Sequence, residues 1–189
     1  MLIVYLNKSK KIKKFKMPIE FETKILGIDE EEIERKLLEL GAKRKPEVLF
    51  KRWIFDLEAG KWLRLRSDGK KKTLTYKNRK GTGISETEEI EVEVEDFQKT
   101  KEILDKIPFK EQIYQESKRI SFKLKRIEFN LDSWPLIPTY LEIESFSEKK
   151  VKEGLALLGL VGKDVGNIGV KEIYNRYGKD LHAVKILKF

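Results

Sequence analysis

The sequence predicts an α+β protein with a largely antiparallel sheet. Most of the predicted strands follow one another through short turns, as strands in hairpins do. Three other segments have the apolar spacing of amphipathic helices. The strands themselves combine one apolar face with one charged face almost throughout. No internal repeat, coiled-coil heptad or low-complexity stretch suggests another class of fold.

The three predicted helices begin at capping residues. Asp29 is followed by Glu32 three residues later, and this capping box predicts a helix over 29–41. The other two helices are bounded by Asp96 and Pro108, and by Ser147 and Gly159.

The strands are predicted from apolar and polar residues that alternate in sequence, and Asp68-Gly69 is a hairpin signal between two of them. The tail after residue 166 predicts a short helix and a closing segment. The predicted strands cover 17–25, 48–56, 61–67, 71–79, 87–95, 114–125, 127–132 and 139–145.

The basic charge of the chain is concentrated at its start. Six of the nine net positive charges are lysines within residues 1–16, a segment without an acidic residue. We therefore expect 1–16 to be a basic leader outside the fold, either an upstream extension from a misassigned start codon or a surface arm. We expect 17–189 to form one domain. The apolar start of the leader is too short to span a membrane and lacks the features of a secretory signal.

The charged strand faces are compatible with two architectures. One is an open sheet whose charged side faces solvent, and the other is a closed barrel whose charges point inward. The pattern alone does not decide between them. A barrel would gather acidic and basic clusters in one cavity, which suits a polyphosphate bound together with divalent cations. The charged groups are Glu20/Glu22/Lys24, Arg64/Arg66, Lys77/Arg79, Glu89/Glu91/Glu93, Arg119/Lys123/Lys125, Glu128/Asp132 and Glu142/Glu144.

The composition restricts a metal site to carboxylate ligands. The chain has no cysteine and a single histidine, His182, which we expect at the surface. Thiolate metal sites are therefore excluded, a multi-histidine zinc site or a conventional Ser-His-Asp triad is hard to build, and Mg²⁺, Mn²⁺ or Ca²⁺ is favoured. Glu20 and Glu22 share one face of the first strand with Lys24, which is either a hard-cation site or an ordinary solvent-facing strand.

Six short motifs, beginning with EFETK at 20–24 and ending with YLEIE at 140–144, follow one another along the chain. Together they resemble the CYTH superfamily, the triphosphate tunnel metalloenzymes. Residues 20–24 (EFETK) match the ExExK signature, and the other motifs follow in the family's order. The last of them resemble the class IV adenylate cyclase-like subgroup, and the resemblance covers 19–189. These motifs are WLRLR at 62–66, LTYK at 74–77, the acidic strand at 89–93, LDSWP at 131–135 and YLEIE at 140–144.

The resemblance implies a closed, antiparallel, eight-stranded β-barrel with a charged interior and flanking helices. It also implies a site with two Mg²⁺ or Mn²⁺ ions. The metal ligands would be Glu20, Glu22, Asp132, Glu142 and Glu144. The catalytic residues that grip the triphosphate would be Lys24, Arg64, Arg66, Lys77 and Arg119, while Lys125 and Glu91 would either contact substrate or pair within the tunnel.

Two departures from the family pattern bear on activity. Ser117 stands where the family's sixth strand usually carries lysine, and Ile19 stands where many cyclases carry histidine. Both departures remove a polar group, so we expect triphosphate hydrolysis to exceed cyclic AMP formation.

We also expect the carboxylates to repel one another without a ligand, so the fold should tolerate Gln at position 142 or 144.

The predicted protein is thus a metal-dependent triphosphatase acting on inorganic or organic triphosphates. The alternatives are a class IV adenylate cyclase that converts ATP to cyclic AMP and pyrophosphate, and a non-catalytic polyphosphate- or nucleotide-binding module. The partner would be a small-molecule triphosphate or nucleotide, without nucleic acid or membrane. We expect a cytoplasmic protein and consider a homodimer.

Overall fold

A computed structural model describes residues 21–58, 60–79 and 87–189. The helices are α1 (Glu30–Glu39), α2 (Phe97–Leu104), α3 (Glu148–Leu158) and α4 (Val170–Arg176). The strands are β1 (Phe21–Ile25), β2 (Lys43–Arg44), β3 (Val48–Asp56), β4 (Lys61–Ser67), β5 (Lys72–Arg79), β6 (Thr87–Glu93), β7 (Glu111–Leu124), β8 (Ile127–Trp134), β9 (Ile137–Ser145) and β10 (Ile186–Leu187).

Eight strands form one continuous antiparallel path in the order β1-β9-β8-β7-β3-β4-β5-β6. The two-residue strands β2 and β10 both pair with β7, and β10 does so in parallel. The helices lie outside this path. The sequence-based prediction of an antiparallel eight-stranded fold with flanking helices is therefore confirmed.

The sheet is curved, as an electrostatic interaction between distant strands indicates. Lys77 on β5 and Glu22 on β1 are six strand steps apart along the path, which would be about 29 Å in a flat sheet. The pKa of Lys77 is lowered overall, mainly by burial. The carboxylate of Glu22 acts in the opposite direction and favours the charged form of Lys77. Such an influence requires a separation much shorter than 29 Å, so the charged face is concave.

Strict closure of the barrel is not observed. Within the described ranges, the ladders run from β1 at one end to β6 at the other without joining these two strands. The fold is therefore barrel-like rather than fully closed over these residues. The predicted start of the first strand, the leader 1–16 and the loop at 80–85 lie outside the described residues.

The convex side of the sheet is apolar and is covered by helices. Helices α1 and α3 pack over a core that includes Phe122, Phe129 and Leu141. Helix α2 covers a second cluster around Phe55 and Leu65. Because the helices occupy the apolar side, the charged side is left for the concave face. Among the described residues, no helix is long and apolar enough to cross a membrane.

The local signals for the helices are confirmed. The side chains of Asp29, Asp96 and Ser147 each accept a hydrogen bond from the backbone N–H three residues later. Gly159 ends α3 with φ of 71°, a left-handed conformation that glycine adopts without strain. The predicted helix and closing segment of the tail correspond to α4 and β10.

One strand end differs from the prediction and removes a site candidate from the charged face. The predicted strand reached Lys125, but β7 ends at Leu124. Lys125 and Arg126 have φ of 50° and 65° and form the two-residue turn to β8. Lys125 is therefore exposed on a hairpin turn instead of lying beside Arg119 on the strand.

Gly154 provides a test of how closely α3 packs on the sheet. A Cβ at this position would lie 2.8 Å from a methyl carbon of Ile143 and 3.2 Å from one of Ile127. We expect Gly154→Ala to lower the free energy of unfolding by about 1–2 kcal/mol, because the overpacking outweighs the gain in helix propensity. Urea unfolding measures this change. Lys149→Ala, at an exposed position of the same helix, is the matched control, and an equally stable Gly154→Ala would contradict the close contact.

Candidate active site

The strand register places the predicted acidic and basic residues on one face. Directly paired residues of neighbouring strands point to the same side of a sheet, so the face can be followed from strand to strand. In path order it carries Glu22 and Lys24; Tyr140, Glu142 and Glu144; Asn130 and Asp132; Gln115, Ser117 and Arg119; Arg52; Arg64 and Arg66; Thr75 and Lys77; and Glu89 and Glu91.

Three carboxylates from β1 and β9 converge on this face. Glu22, Glu142 and Glu144 each offer an oxygen atom, and these atoms all lie within 4.8 Å of one another. Glu22 is paired with Glu144 across the ladder, and Lys24 is paired with Glu142. We call this group, together with Asp132 on β8, the acidic side. The structure thus brings together four of the five predicted metal ligands, while Glu20 lies outside the described residues.

Buried cations neutralise part of the acidic side. The Nζ atom of Lys24 lies 2.8 Å from Glu22 and 3.2 Å from Glu142. The guanidinium of Arg119 donates two hydrogen bonds of 2.6 Å to Asp132 and one of 2.9 Å to Glu142. Glu142 is therefore held between two cations, and its side chain is 8% exposed.

The protonation states follow from this arrangement. Burial alone would raise the pKa of Glu142, but Arg119 and Lys24 lower it to about 2, so the group remains a carboxylate. Burial raises the pKa of Asp132, against the opposing effect of Arg119. For Lys24, burial acts to lower the pKa, but Glu142 and Glu22 raise it overall. Glu142 and Lys24 therefore both keep their charges at neutral pH.

This pairing changes the expected effect of removing Glu142. The sequence suggested unpaired acids that repel one another, so that Gln would be tolerated. In the structure, removal of the Glu142 charge leaves Lys24 and Arg119 without a shared partner in a buried setting. Breaking a buried pair in this way is strongly destabilising. Glu144 is less buried than Glu142, so tolerance of Gln is now expected only at position 144.

The opposite part of the face, which we call the basic side, is formed by β3, β4 and β5. Arg64 lies 3.6 Å from Glu91, and Lys77 contacts Glu89. Burial and the neighbouring Arg66 lower the pKa of Arg64 to about 10. The Nε atom of Arg64 is buried and has no hydrogen-bond partner. Cationic donors are thus present here with part of their hydrogen-bonding capacity unused.

The predicted residues Arg66 and Glu91 also lie on the basic side. The Arg66 guanidinium lies 4.9 Å from the centre of the Phe50 ring. Glu91 on β6 accepts a 2.8 Å hydrogen bond from the hydroxyl of Thr75 on β5. This bond fixes the carboxylate that lies 3.6 Å from Arg64 on β4. Lys125, by contrast, is not brought to this face.

Arg52 on β3 was missed by the sequence analysis. It is paired with Arg66 across one ladder and with Gln115 across the other, so it belongs to the basic side. Strand β3 carries large apolar residues on both faces, including Phe50 and Trp53, and this obscures the alternation that would have assigned Arg52. Arg52 can be assigned to the charged face only from its pairing with Arg66 on β4.

A second group of ligand-type side chains consists of Asp56, Glu111 and His182, whose ligand atoms also lie within 4.8 Å of one another. The His182 ring nitrogen Nδ1 lies 3.0 Å from Glu111, a pairing that accounts for this contact without a metal ion. The histidine side chain is 25% exposed, so it is partly buried instead of lying freely on the surface as expected.

The acidic side fits a hard divalent cation. Its donors are carboxylate oxygens, close enough together for two or three of them to bind one ion. The lowered pKa of Glu142 keeps this ligand ionised. The basic side fits the complementary group, because arginine and lysine bind phosphate oxygens. Fold and site together define a barrel-like protein with a concave face divided into an acidic and a basic part.

The comparisons with known proteins assign the chain to a family. The profile of the CYTH domain matches residues 18–160, and the chain belongs to this family. CYTH domain proteins are triphosphatases or class IV adenylate cyclases, and the family is metal-dependent. The chain is therefore a member of a family of metal-dependent enzymes that act on triphosphates, as the resemblance implied.

A similar sequence is that of a Methanocaldococcus jannaschii protein named "Putative adenylate cyclase MJ0240". It is 32% identical over 133 residues, which cover 67% of this chain and 76% of that protein. The solved structure of PH1012 from Pyrococcus horikoshii has a TM-score of 0.70 and 27% identity, covering 80% of this chain and 96% of that one.

A more distant structural relative has the same fold. HpAC1 from Hippeastrum is described as a "putative adenylyl cyclase" with a dominant triphosphatase activity. Its TM-score is 0.56 at 21% identity, with 88% of this chain and 98% of that chain covered.

Proposed function

We propose that the protein is a metal-dependent triphosphatase that binds its substrate between the acidic and basic sides of the concave face. The observation that carries this proposal is the convergence of three carboxylates within 4.8 Å on one side, opposite arginines that retain an unpartnered Nε atom on the other. A triphosphate with divalent cations satisfies both, since the cations join carboxylates to phosphoryl oxygens.

On the acidic side, the metal ligands would be Glu22, Glu142 and Glu144, with Asp132 beside them and Glu20 added from the sequence. Two Mg²⁺ or Mn²⁺ ions match this number of carboxylates. Lys24 and Arg119 orient Glu142 from both sides, which limits the movement of that ligand. A bound ion would supply neutralisation of phosphoryl charge.

On the basic side, Arg64, Arg66 and Lys77 would bind non-bridging oxygens and stabilise the negative charge of the transition state. In hydrolysis, the oxygen of water forms a bond to the terminal phosphorus and the bridging P–O bond breaks. The electron pair leaves with the diphosphate portion, and the proton from water passes to solvent. Glu91 would maintain the position of Arg64 through Thr75. Lys125 lies on the exposed turn after β7 and has no part in this proposal.

An adenylate cyclase is the second candidate, favoured by the name of the M. jannaschii relative. Cyclisation would use the same ions and cations, but the ribose 3′-hydroxyl must be aligned with the α-phosphorus. Ser117 contributes a neutral hydroxyl to the face at a position where a cation could otherwise hold the nucleotide. Hydrolysis requires only that the triphosphate be held and water admitted.

We expect phosphate release to exceed cyclic AMP formation. The purified protein is incubated with inorganic triphosphate and with ATP, each with Mg²⁺ or Mn²⁺, and the products are separated by anion exchange. A chelator provides the metal-free control. Cyclic AMP as the major product would contradict the triphosphatase and support the cyclase. Tight binding of triphosphate without turnover would support the non-catalytic module.

A cytoplasmic location, a possible homodimer and the division of the chain after residue 16 stay predictions.

A further inference from the structure

Arg52 is a cation of the basic side that forms no salt bridge with a carboxylate of the described residues, although Asp132 is near enough to favour its charged form. Its guanidinium lies 4.5 Å from the centre of the Trp134 ring and contacts the hydroxyl of Ser117. Among the residues that the structure describes, no carboxylate lies within ion-pair distance of it, and its shielded Nε atom has no hydrogen-bond partner. A guanidinium in this position has lost water without gaining an equivalent counter-charge.

The residues next to Arg52 add further positive charge. Arg66 lies opposite Arg52 across the β3–β4 ladder, and Arg64 follows on the same face. Burial and these two arginines lower the pKa of Arg52 to about 9, against a smaller opposing effect of the Asp132 carboxylate. The Nε atom of Arg64 is also buried without a partner. Stacking on Trp134 offsets part of the lost hydration, but it neither reduces the repulsion nor satisfies the two N–H groups.

Arg52, Arg64 and Arg66 lie on one face of the sheet, where a bound anion would meet all three guanidinium groups. Guanidinium groups present their N–H donors in a planar fork that matches the oxygens of a phosphoryl group. The Arg52 side chain is half-buried, so part of it remains accessible from the concave face. An anion at this position would relieve the repulsion among the three arginines.

We propose that Arg52, together with Arg64 and Arg66, forms an anion subsite that binds one phosphoryl group of the triphosphate through its non-bridging oxygens. This inference rests on the proposed function, because the triphosphate is taken as the ligand. It adds to that function a binding residue on β3, which neither the motif pattern nor the acidic side indicated.

The test is the affinity of Arg52→Met for inorganic triphosphate, measured by calorimetry with a chelator present so that turnover does not interfere. We expect binding about 30-fold weaker than that of the wild type, the usual minimum for removing a buried charged contact. Arg52→Lys keeps the charge but loses the fork and should give a smaller loss. Lys51→Met, at the adjacent exposed position of β3, is the matched control and should bind as the wild type does.

Thermal unfolding without ligand separates binding from a structural role. If Arg52 serves binding, Arg52→Met should melt at or above the wild-type temperature, because an uncompensated charge is removed. A lower melting temperature together with unchanged affinity would overturn the proposal and assign Arg52 to the packing against Trp134.

The outcomes also separate this proposal from the proposed function. If the wild type releases phosphate but Arg52→Met binds triphosphate with unchanged affinity, only the role of Arg52 is contradicted, and the triphosphatase proposal stands. Weakened binding in that variant, with no phosphate release by the wild type, would contradict the triphosphatase and support the subsite. A wild type that binds triphosphate neither with the chelator nor with Mg²⁺ or Mn²⁺ would contradict both.

Discussion

Replacing Glu144 with Gln is expected to lower metal-dependent triphosphate turnover by about 100- to 1,000-fold, the range found when a single electrostatic contributor to the transition state is removed. Glu144 is one of three carboxylates whose oxygen atoms lie within 4.8 Å of one another. Gln retains the size and one oxygen but loses the charge that favours a hard cation. Steady-state phosphate release with Mg²⁺ or Mn²⁺ measures the effect, and calorimetric titration with Mn²⁺ should show weaker metal binding.

The fold should tolerate this change, because less negative charge remains beside Glu22 and Glu142. We expect the free energy of unfolding to change by less than about 1 kcal/mol. Glu148→Gln, on the exposed first turn of α3, is the matched control and should retain full turnover. Full metal-dependent activity in Glu144→Gln would contradict the assignment of the acidic side as the metal site.

Replacing Glu142 with Gln is expected to have its largest effect on stability. We expect the free energy of unfolding to fall by about 3–5 kcal/mol, because Lys24 and Arg119 lose the carboxylate between them in a buried setting. Chemical denaturation at neutral pH measures this loss. Glu39→Gln removes an exposed ion pair with Arg35 and should cost less than about 1 kcal/mol. A Glu142→Gln variant as stable as the wild type would show that the ion pairs of Glu142 with Lys24 and Arg119 do not stabilise the fold.

The pH dependence of stability provides an independent check on Glu142. Its pKa falls from the ordinary value of 4.5 to about 2 on folding. A carboxyl group with a lowered pKa stabilises the fold above pH 4.5, and this contribution is lost as the pH falls from 4.5 towards 2. The difference in stability between wild type and Glu142→Gln should therefore shrink over that interval. If this difference in stability stays constant between pH 4.5 and 2, the charge of the Glu142 carboxylate does not stabilise the fold.

Helix starts could be predicted because their causes lie within a few residues. Asp29, Asp96 and Ser147 each cap the turn that follows them, and nothing distant is needed for that hydrogen bond. The end of β7 could not be predicted in the same way. Lys125 and Arg126 adopt positive φ in a turn without glycine or asparagine, so the sequence lacks the usual signal for this hairpin.

Most of the candidate site could be predicted, but its pairing could not. The alternation of charged and apolar residues, with the CYTH motifs, was sufficient to select Glu22, Glu142, Arg64 and Arg66. It did not identify Arg52, since β3 has apolar residues on both faces. Nor did it identify which acid each cation contacts, because residues such as Lys24 and Glu142 meet only through the β1–β9 ladder.

The sequence by itself determined the elements, the two faces of each strand and the family to which the chain belongs, because periodicity, caps and motifs are local properties. The tertiary structure decided how those charges are distributed. Curvature of the sheet brings Lys77 within electrostatic reach of Glu22, and strand register places Glu142 between Lys24 and Arg119. Electrostatic energies depend on distance and burial, and both are set by contacts between strands that are far apart in the chain.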